Sequence, residues 1–162
     1  MKQEQFTTWD IIKGLKIRRG RLRQWLELGF VKPSIQVAKG VTQKNIFSRW
    51  DLYMIYLFEF LIDRRGFQRM KAATIIEAIN SSAVTFRKEH KKDIEKSINT
   101  IIIKRWSSGS HKDKFGIWQE ETEILVSIDN RIKVPPLQIN QEWDDVQIIN
   151  LYQVKKGVDA LF

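Results

Sequence analysis

The sequence contains no cysteine. That excludes a disulfide framework and any thiolate metal centre, and it fits a reducing compartment. No apolar run approaches the roughly 20 residues that a membrane-spanning helix needs. The longest, residues 52–62, contains Glu59 and reads as a buried helix. The opening MKQEQFTTWD lacks the apolar stretch of a signal peptide, so a cytoplasmic, nucleoid-associated location is expected and no membrane partner. There is no Gly-rich phosphate loop and no Ser-His-Asp set, and histidine occurs only twice, so enzyme chemistry is not expected. No internal repeat or low-complexity tract is found. What the chain does have is apolar mass. Hydrophobic residues make up 43%, with six Trp and nine Phe, which is too much for a disordered chain and enough for a core.

Acids are also missing from one place. The net charge is +9. Between residues 11 and 50 stand ten bases (Lys13, Lys16, Arg18, Arg19, Arg21, Arg23, Lys32, Lys39, Lys44, Arg49) against the single acid Glu27, so the whole excess sits in this quarter of the chain. The other eighteen bases are matched by eighteen acids. Charge gathered this way is the footprint of a phosphate-binding surface, because each cation that neutralises a phosphate releases a condensed counterion.

Within that region, Thr7 or Thr8 can cap a short helix over residues 9–15, with Ile11, Ile12 and Leu15 on one face. A turn near Lys16 and Ile17 leads to a second helix over 19–28. Leu22, Trp25, Leu26 and Leu28 are expected inward and Arg19, Arg21 and Arg23 outward. Two short helices joined by a tight turn describe a helix-turn-helix. Residues 34–47 suit two short strands around a turn, a wing with Lys39 and Lys44 near its tip. Ser48 can cap a third helix over 49–65, apolar nearly all round. A fourth helix over 70–79 places Ala72, Ile75, Ile76 and Ile79 inward. Asn80, Ser81 and Ser82 mark the expected boundary between a unit 1–82 and a unit 83–162. The second unit should hold an amphipathic helix over 86–98, a loop 107–114, a hairpin of strands 100–106 and 116–128, and an interruption at Pro135 and Pro136. A strand 146–150 and a helix 151–162 should close it.

The stretch LRQWLELGF, residues 22–30, followed by Pro33, resembles the second helix of the MerR-type regulators. Three more matches follow in order: Phe6-Thr7, Phe47-Ser48-x-x-Asp51-Leu52, and Gly66-Phe67. The resemblance covers less than half the chain. It implies a winged helix-turn-helix whose helix 19–28 enters the major groove, with Arg23 holding a phosphate and the wing along the backbone or minor groove. Gln24, Trp25 and Leu26 stand where the family usually has an aromatic, a Tyr and a Glu. The family's wing Arg is replaced by Asn45, so a wing contact falls to Lys44 or Arg49. The second half lacks the family's long dimerisation helix, since only Ile94, Ile98 and Ile101 have seam-like spacing.

Other clusters carry less. His90 and Asp93 lie one turn apart without a third metal ligand, and Glu120, Glu121 and Glu123 share one strand, so neither reads as a metal or acid/base site. No cofactor is implied. The fold expected is α+β, a MerR-like winged helix-turn-helix followed by a small α/β unit with a β-hairpin and a terminal helix. The expected DNA contacts are Arg18, Arg19, Arg21, Arg23, Gln24, Lys39, Lys44 and Arg49, with Arg21 facing a base. The function expected is a sequence-specific transcriptional regulator that binds double-stranded DNA at a roughly palindromic site as a homodimer. Its second half would supply the dimer contact, an effector pocket, or both. The alternative is a non-catalytic architectural or accessory DNA-binding protein, excisionase-like or segregation-type.

Overall fold

The computed structural model describes residues 5–40, 43–90, 100–112, 118–127 and 145–162. The fold is α+β, with five helices and five strands among the described residues. Strand β1 (Gln5–Thr7) pairs antiparallel with β2 (Ile46–Ser48), Phe6 opposite Phe47, and both phenylalanines are buried. Each strand runs straight into a helix, α1 (Thr8–Leu15) from β1 and α3 (Arg49–Asp63) from β2. Both helices start with a capping box. Asp10 Oδ2 accepts from Thr7 N at 2.8 Å while Thr7 Oγ1 accepts from Asp10 N at 3.3 Å. Asp51 Oδ2 accepts from Ser48 N at 2.8 Å while Ser48 Oγ accepts from Asp51 N at 3.2 Å. Such reciprocal bonds satisfy two backbone donors that a helix start otherwise leaves open. FTTWD at 6–10 and FSRWD at 47–51 are thus one short pattern used twice.

Helix α3 lies at the centre of the core, with Leu52, Ile55, Leu57, Phe58 and Leu61 buried. Each such side chain contributes about 1.5 to 3 kcal/mol by leaving water. Helix α2 (Arg19–Glu27) packs Leu22 and Trp25 into the same core, and Trp25 meets Phe58 edge-on at 4.9 Å between centroids. One expected inward residue is corrected. Leu28 is 56% exposed because it caps α2 beyond the last packed turn. In α1, Ile11 and Leu15 form the buried face and Trp9 is 66% exposed. The turn between α1 and α2 holds Lys16 in the left-handed region at φ 58° and buries Ile17. At the far end of α2, Gly29 has φ 72°, which lets Phe30 N donate to Trp25 O at 2.9 Å and Gly29 N to Leu26 O at 3.1 Å. These two bonds make a Schellman stop.

The expected pair of wing strands is reduced to one bridge, Gln36 with Ile46. The reason is that Ile46 to Ser48 pair with β1, and the loop's backbone donors are met by side chains. Ala38 N donates to Asn45 Oδ1 at 2.8 Å and Lys39 N to Gln43 Oε1 at 3.0 Å. Residues 41 and 42 lie outside the described residues.

Helix α4 (Arg69–His90) buries Ala72, Ile75, Ile76 and Ile79 as expected, and it does not stop at 79. Asn80 accepts a 2.8 Å hydrogen bond from Trp50 Nε1, and Ser81 and Ser82 continue the helix. The chain forms two compact units, Met1–Asn80 with Gln153–Phe162, and Ser81–Tyr152. The last ten residues therefore belong with the first eighty, unlike the expected division at 82.

In the second unit, β3 (Thr100–Lys112) lies between β4 (Trp118–Ser127) and β5 (Asp145–Asn150), antiparallel to both. Ile101, Ile103 and Ile149 are buried, in keeping with the period of two along a strand. Strand β3 runs through six residues expected to be loop, 107–112. Glu120, Glu121 and Glu123 share strand β4. Asp93, Ile94, Ile98, residues 113–117, Ile128, Pro135 and Pro136 lie outside the described residues.

Helix α5 (Leu151–Asp159) buries Val154 and Val158, whereas Leu161 is exposed. Asp159 Oδ1 accepts from Tyr53 Oη at 2.9 Å and from Arg49 Nη1 at 3.1 Å. Phe162 meets Phe6 edge-on at 5.2 Å and covers Gly14, where an added β-carbon would overlap its ring. Phe162→Ala should therefore cost about 1 to 2 kcal/mol, the value of a half-buried aromatic. Gly14→Ala should destabilise the wild-type chain by displacing that ring. In the Phe162→Ala background the same change should stabilise by about 0.5 to 1 kcal/mol, because alanine is the better helix former. Denaturant midpoints of the four chains check this; equal effects of Gly14→Ala in both backgrounds would remove Phe162 from this position.

Candidate nucleic-acid interface

Burying Leu22 and Trp25 turns the other side of α2 outward. Arg18, Arg19, Arg23 and Gln24 are exposed there. Arg18 is the N-cap and offers no side-chain acceptor, so the first-turn N–H groups carry no side-chain cap. Arg18 and Arg19 at an uncapped, partly positive helix start, with Arg23 one turn further on, favour an anion opposite them. Gly20 lies between them with nothing within 4 Å of where a β-carbon would stand. Packing therefore does not require glycine at this position, and the bare backbone can be approached closely.

Arg21 is different. Its Nη1 donates to Asp63 Oδ2 at 2.7 Å, its Nη2 donates to Asp63 Oδ1, and Glu59 lies 3.6 Å away. The guanidinium also sits 4.8 Å from the centroid of Trp25. The residue expected to face a base is thus committed to the end of α3, where it ties α2 to the core helix. The hydrogen bond from Arg21 holds the Asp63 carboxyl below the usual carboxylate range, while burial pushes Glu59 up. Beneath this contact Trp25 keeps a buried indole N–H with no hydrogen-bond partner among the described residues.

Arg23 donates Nε to Glu27 at 2.7 Å, one turn along and largely in water. Such an exposed pair is weak and leaves Arg23 available to a stronger anion. Gln24 Oε1 accepts from Arg69 Nη1 at 3.4 Å. That contact leads to three further cations outside residues 11–50. Arg64, Arg65 and Arg69, at the turn from α3 to α4, are all exposed. Their signal in the sequence is the RRGFQR run at 64–69, of which only Gly66-Phe67 bears on the family resemblance.

Of the loop residues, Lys39 and Lys44 are exposed. Arg49 is not an open cation. Its guanidinium lies 4.8 Å over Phe6 and bonds Asp159, so it serves the junction with the C-terminal segment. The base of the loop is fixed: Ser34 N and Oγ donate to Asp51 Oδ2 at 2.9 and 2.7 Å. Among the described residues no group of three His, Asp or Glu side chains could hold a metal ion, and no helix is long and apolar enough to cross a membrane. No protein-family model matches this chain, and no curated protein matches it.

The Arg21–Asp63 pair gives a pH test. A carboxyl with a lowered pKa in the folded state adds stability above its unfolded value, about 3.9, and loses it as pH falls through the folded value. Asp63→Asn should cost about 0.5 to 1 kcal/mol at pH 7, since both partners are partly exposed. The difference from wild type should shrink below about pH 4. Thermal unfolding across that range checks it, and a cost independent of pH would mean that the charge of Asp63 contributes nothing.

Proposed function

We propose that this chain binds double-stranded DNA, with α2 as the helix presented to the major groove and the loop 34–46 beside it as a wing. The observation that carries the reading is the division of α2. One side is fully buried through Leu22 and Trp25, and the other exposes Arg18, Arg19, Arg23 and Gln24 around an uncapped helix start. Duplex phosphates match that charge, and a helix fits the width of the major groove. The four sequence matches to MerR-type regulators support a helix-turn-helix of that kind, since three of them fall on the two capping boxes and on the Schellman stop of α2.

A nine-residue helix reads too few base pairs to define a unique site. The fuller reading is therefore a transcriptional regulator acting on inverted half-sites as a homodimer, with the second unit supplying the dimer contact. A role as an accessory factor that shapes DNA for other machinery is the second reading, favoured by the exposed aliphatic side chains Ile35 and Val37 on the cationic loop.

Selection of bound sequences from a random duplex pool by the full-length chain tests the proposal. Two inverted half-sites would support a dimeric regulator, and recovery of no duplex would refute DNA binding. On a recovered site, Arg19→Ala and Arg23→Ala should each reduce the salt-dependence slope by roughly one unit per monomer. Gly20→Ala should raise thermal stability, by about 0.5 to 1 kcal/mol, yet weaken binding, because the new methyl group stands where a phosphate approaches. A variant both more stable and equally tight would remove the first turn of α2 from the interface.

A further inference from the structure

Helix α2 turns a narrow crest away from the core. Gly20, Gln24 and Glu27 recur at the spacing of one helix face, opposite the buried Leu22 and Trp25, and all three are exposed. Gly20 adds no side chain to that crest, and Glu27 is engaged by Arg23 at 2.7 Å. Gln24 is therefore the crest residue left to project. Its carboxamide is also oriented. Arg69, the first residue of α4, donates Nη1 to Gln24 Oε1 at 3.4 Å. A guanidinium has donors only, so the amide oxygen must be the atom that faces it, and Nε2 stands on the other branch. Among the described residues Nε2 meets no acceptor. Oε1 keeps a second lone pair for another donor.

We propose that Gln24 reads an adenine in the major groove and that Arg69 is its positioning residue. The proposal rests on the DNA-binding reading and adds to it the base that the helix selects. Adenine presents N7 as an acceptor beside the donor on N6, which match Nε2 and the remaining lone pair of Oε1. Guanine presents two acceptors there and cytosine a donor, so neither satisfies both ends of the amide. Arg21, the expected base reader, is held by Asp63, and Arg19 and Arg23 lie one turn apart on a flank of the crest, where a groove presents phosphates. The low crest at Gly20 lets the helix approach closely enough for a side chain as short as glutamine to reach a base edge. Double-stranded RNA does not fit this arrangement, because its major groove is too deep and narrow for side chains to read.

The test uses the full-length chain on the duplex recovered by selection, with each base pair of a half-site replaced in turn and binding measured by competition. The wild type should show one A·T pair whose replacement weakens binding by about 5- to 150-fold. Gln24→Ala should bind all four pairs at that position within about threefold of one another, with the preference at every other position kept. Gln24→Glu should move the preference there to cytosine, whose N4 amino group donates to a carboxylate. Arg69→Met should reduce the discrimination at that one position, a readout that loss of a phosphate contact would leave unchanged because it weakens all sequences together. Thermal unfolding of the Gln24 variants should match wild type, since the side chain lies outside the core.

A preference for adenine that survives both Gln24→Ala and Gln24→Glu, or a wild-type site in which no A·T pair depends on Gln24, overturns the proposal and leaves DNA binding standing. Discrimination undiminished by Arg69→Met overturns the positioning role. Recovery of no duplex by the wild type overturns the DNA-binding reading and this one with it.

Discussion

The pairing of β1 with β2 is the constraint on which the first unit depends. Only three residues on each strand take part, Gln5–Thr7 with Ile46–Ser48, yet each strand continues into a helix through a capping box. Fixing Phe6 against Phe47 therefore fixes where α1 and α3 begin. Once α1 is placed, the three-residue turn at Lys16 places α2, and once α3 is placed, Phe58 meets Trp25 of α2 edge-on. Asp51 does two jobs at this junction. It completes the α3 capping box and accepts both donors of Ser34, so the same carboxylate that starts the core helix anchors the loop. Because it is buried, loss of that carboxylate would leave several donors without an acceptor, a larger penalty than loss of one surface hydrogen bond.

The charges of α2 divide by partner. Arg21 is held in a two-pronged contact by Asp63 and stacked over Trp25, an arrangement suited to the planar guanidinium and poorly served by lysine. It works as a strut. Among the described residues Arg18 and Arg19 make no ion pair, and Arg23 pairs with Glu27 at a site largely open to water. A phosphate has little intramolecular attraction to displace at these three positions, whereas at Arg21 it would have to break a contact that sets the angle of α2. Positive charge on the same helix thus serves two ends: one cation orients the helix and the others remain for a ligand.

Most of the helices were legible because their signals are local. Thr7 and Ser48 with aspartates three residues on, the 3.6-residue spacing of Ile11 and Leu15 or Ile75 and Ile79, and Gly29 at the end of α2 each act within a turn or two. The strands of the second unit followed from their β-branched runs, although their outer bounds and the pairing of β5 with β3 did not. What was not legible depends on partners far along the chain. The wing was expected as a two-stranded ladder because its residues alternate, but Ile46 to Ser48 find their ladder with β1, some forty residues earlier. Asn80, Ser81 and Ser82 look like a linker by composition, yet the indole of Trp50 holds Asn80 on a continuing helix. Arg21 carries no sign in its own neighbourhood that Asp63 waits 42 positions away. FTTWD and FSRWD are five-residue units, too short to make a repeat in the architectural sense, and each marks a strand that turns into a capped helix.

The C-terminal segment is the furthest such case, and its chemistry explains why it belongs with the first unit. Bringing the ends of an insertion of about 70 residues together costs on the order of 4 kcal/mol if the insertion is flexible. Part of that cost is removed inside the second unit, where Asn150 at the end of β5 pairs with Thr100 at the start of β3. The remainder is offset by contacts with α1, α3 and β1. Asp159 accepts from both Arg49 and Tyr53, successive turns of α3, and Phe162 fills the space left by Gly14 and closes over Phe6. Glycine at position 14 weakens α1 as an isolated helix, and that local cost makes sense only when the ring from the far end of the chain is in place. The first eighty residues therefore encode a surface that is complete only with the last ten, and Arg49 carries its positive charge toward Asp159 within that seam.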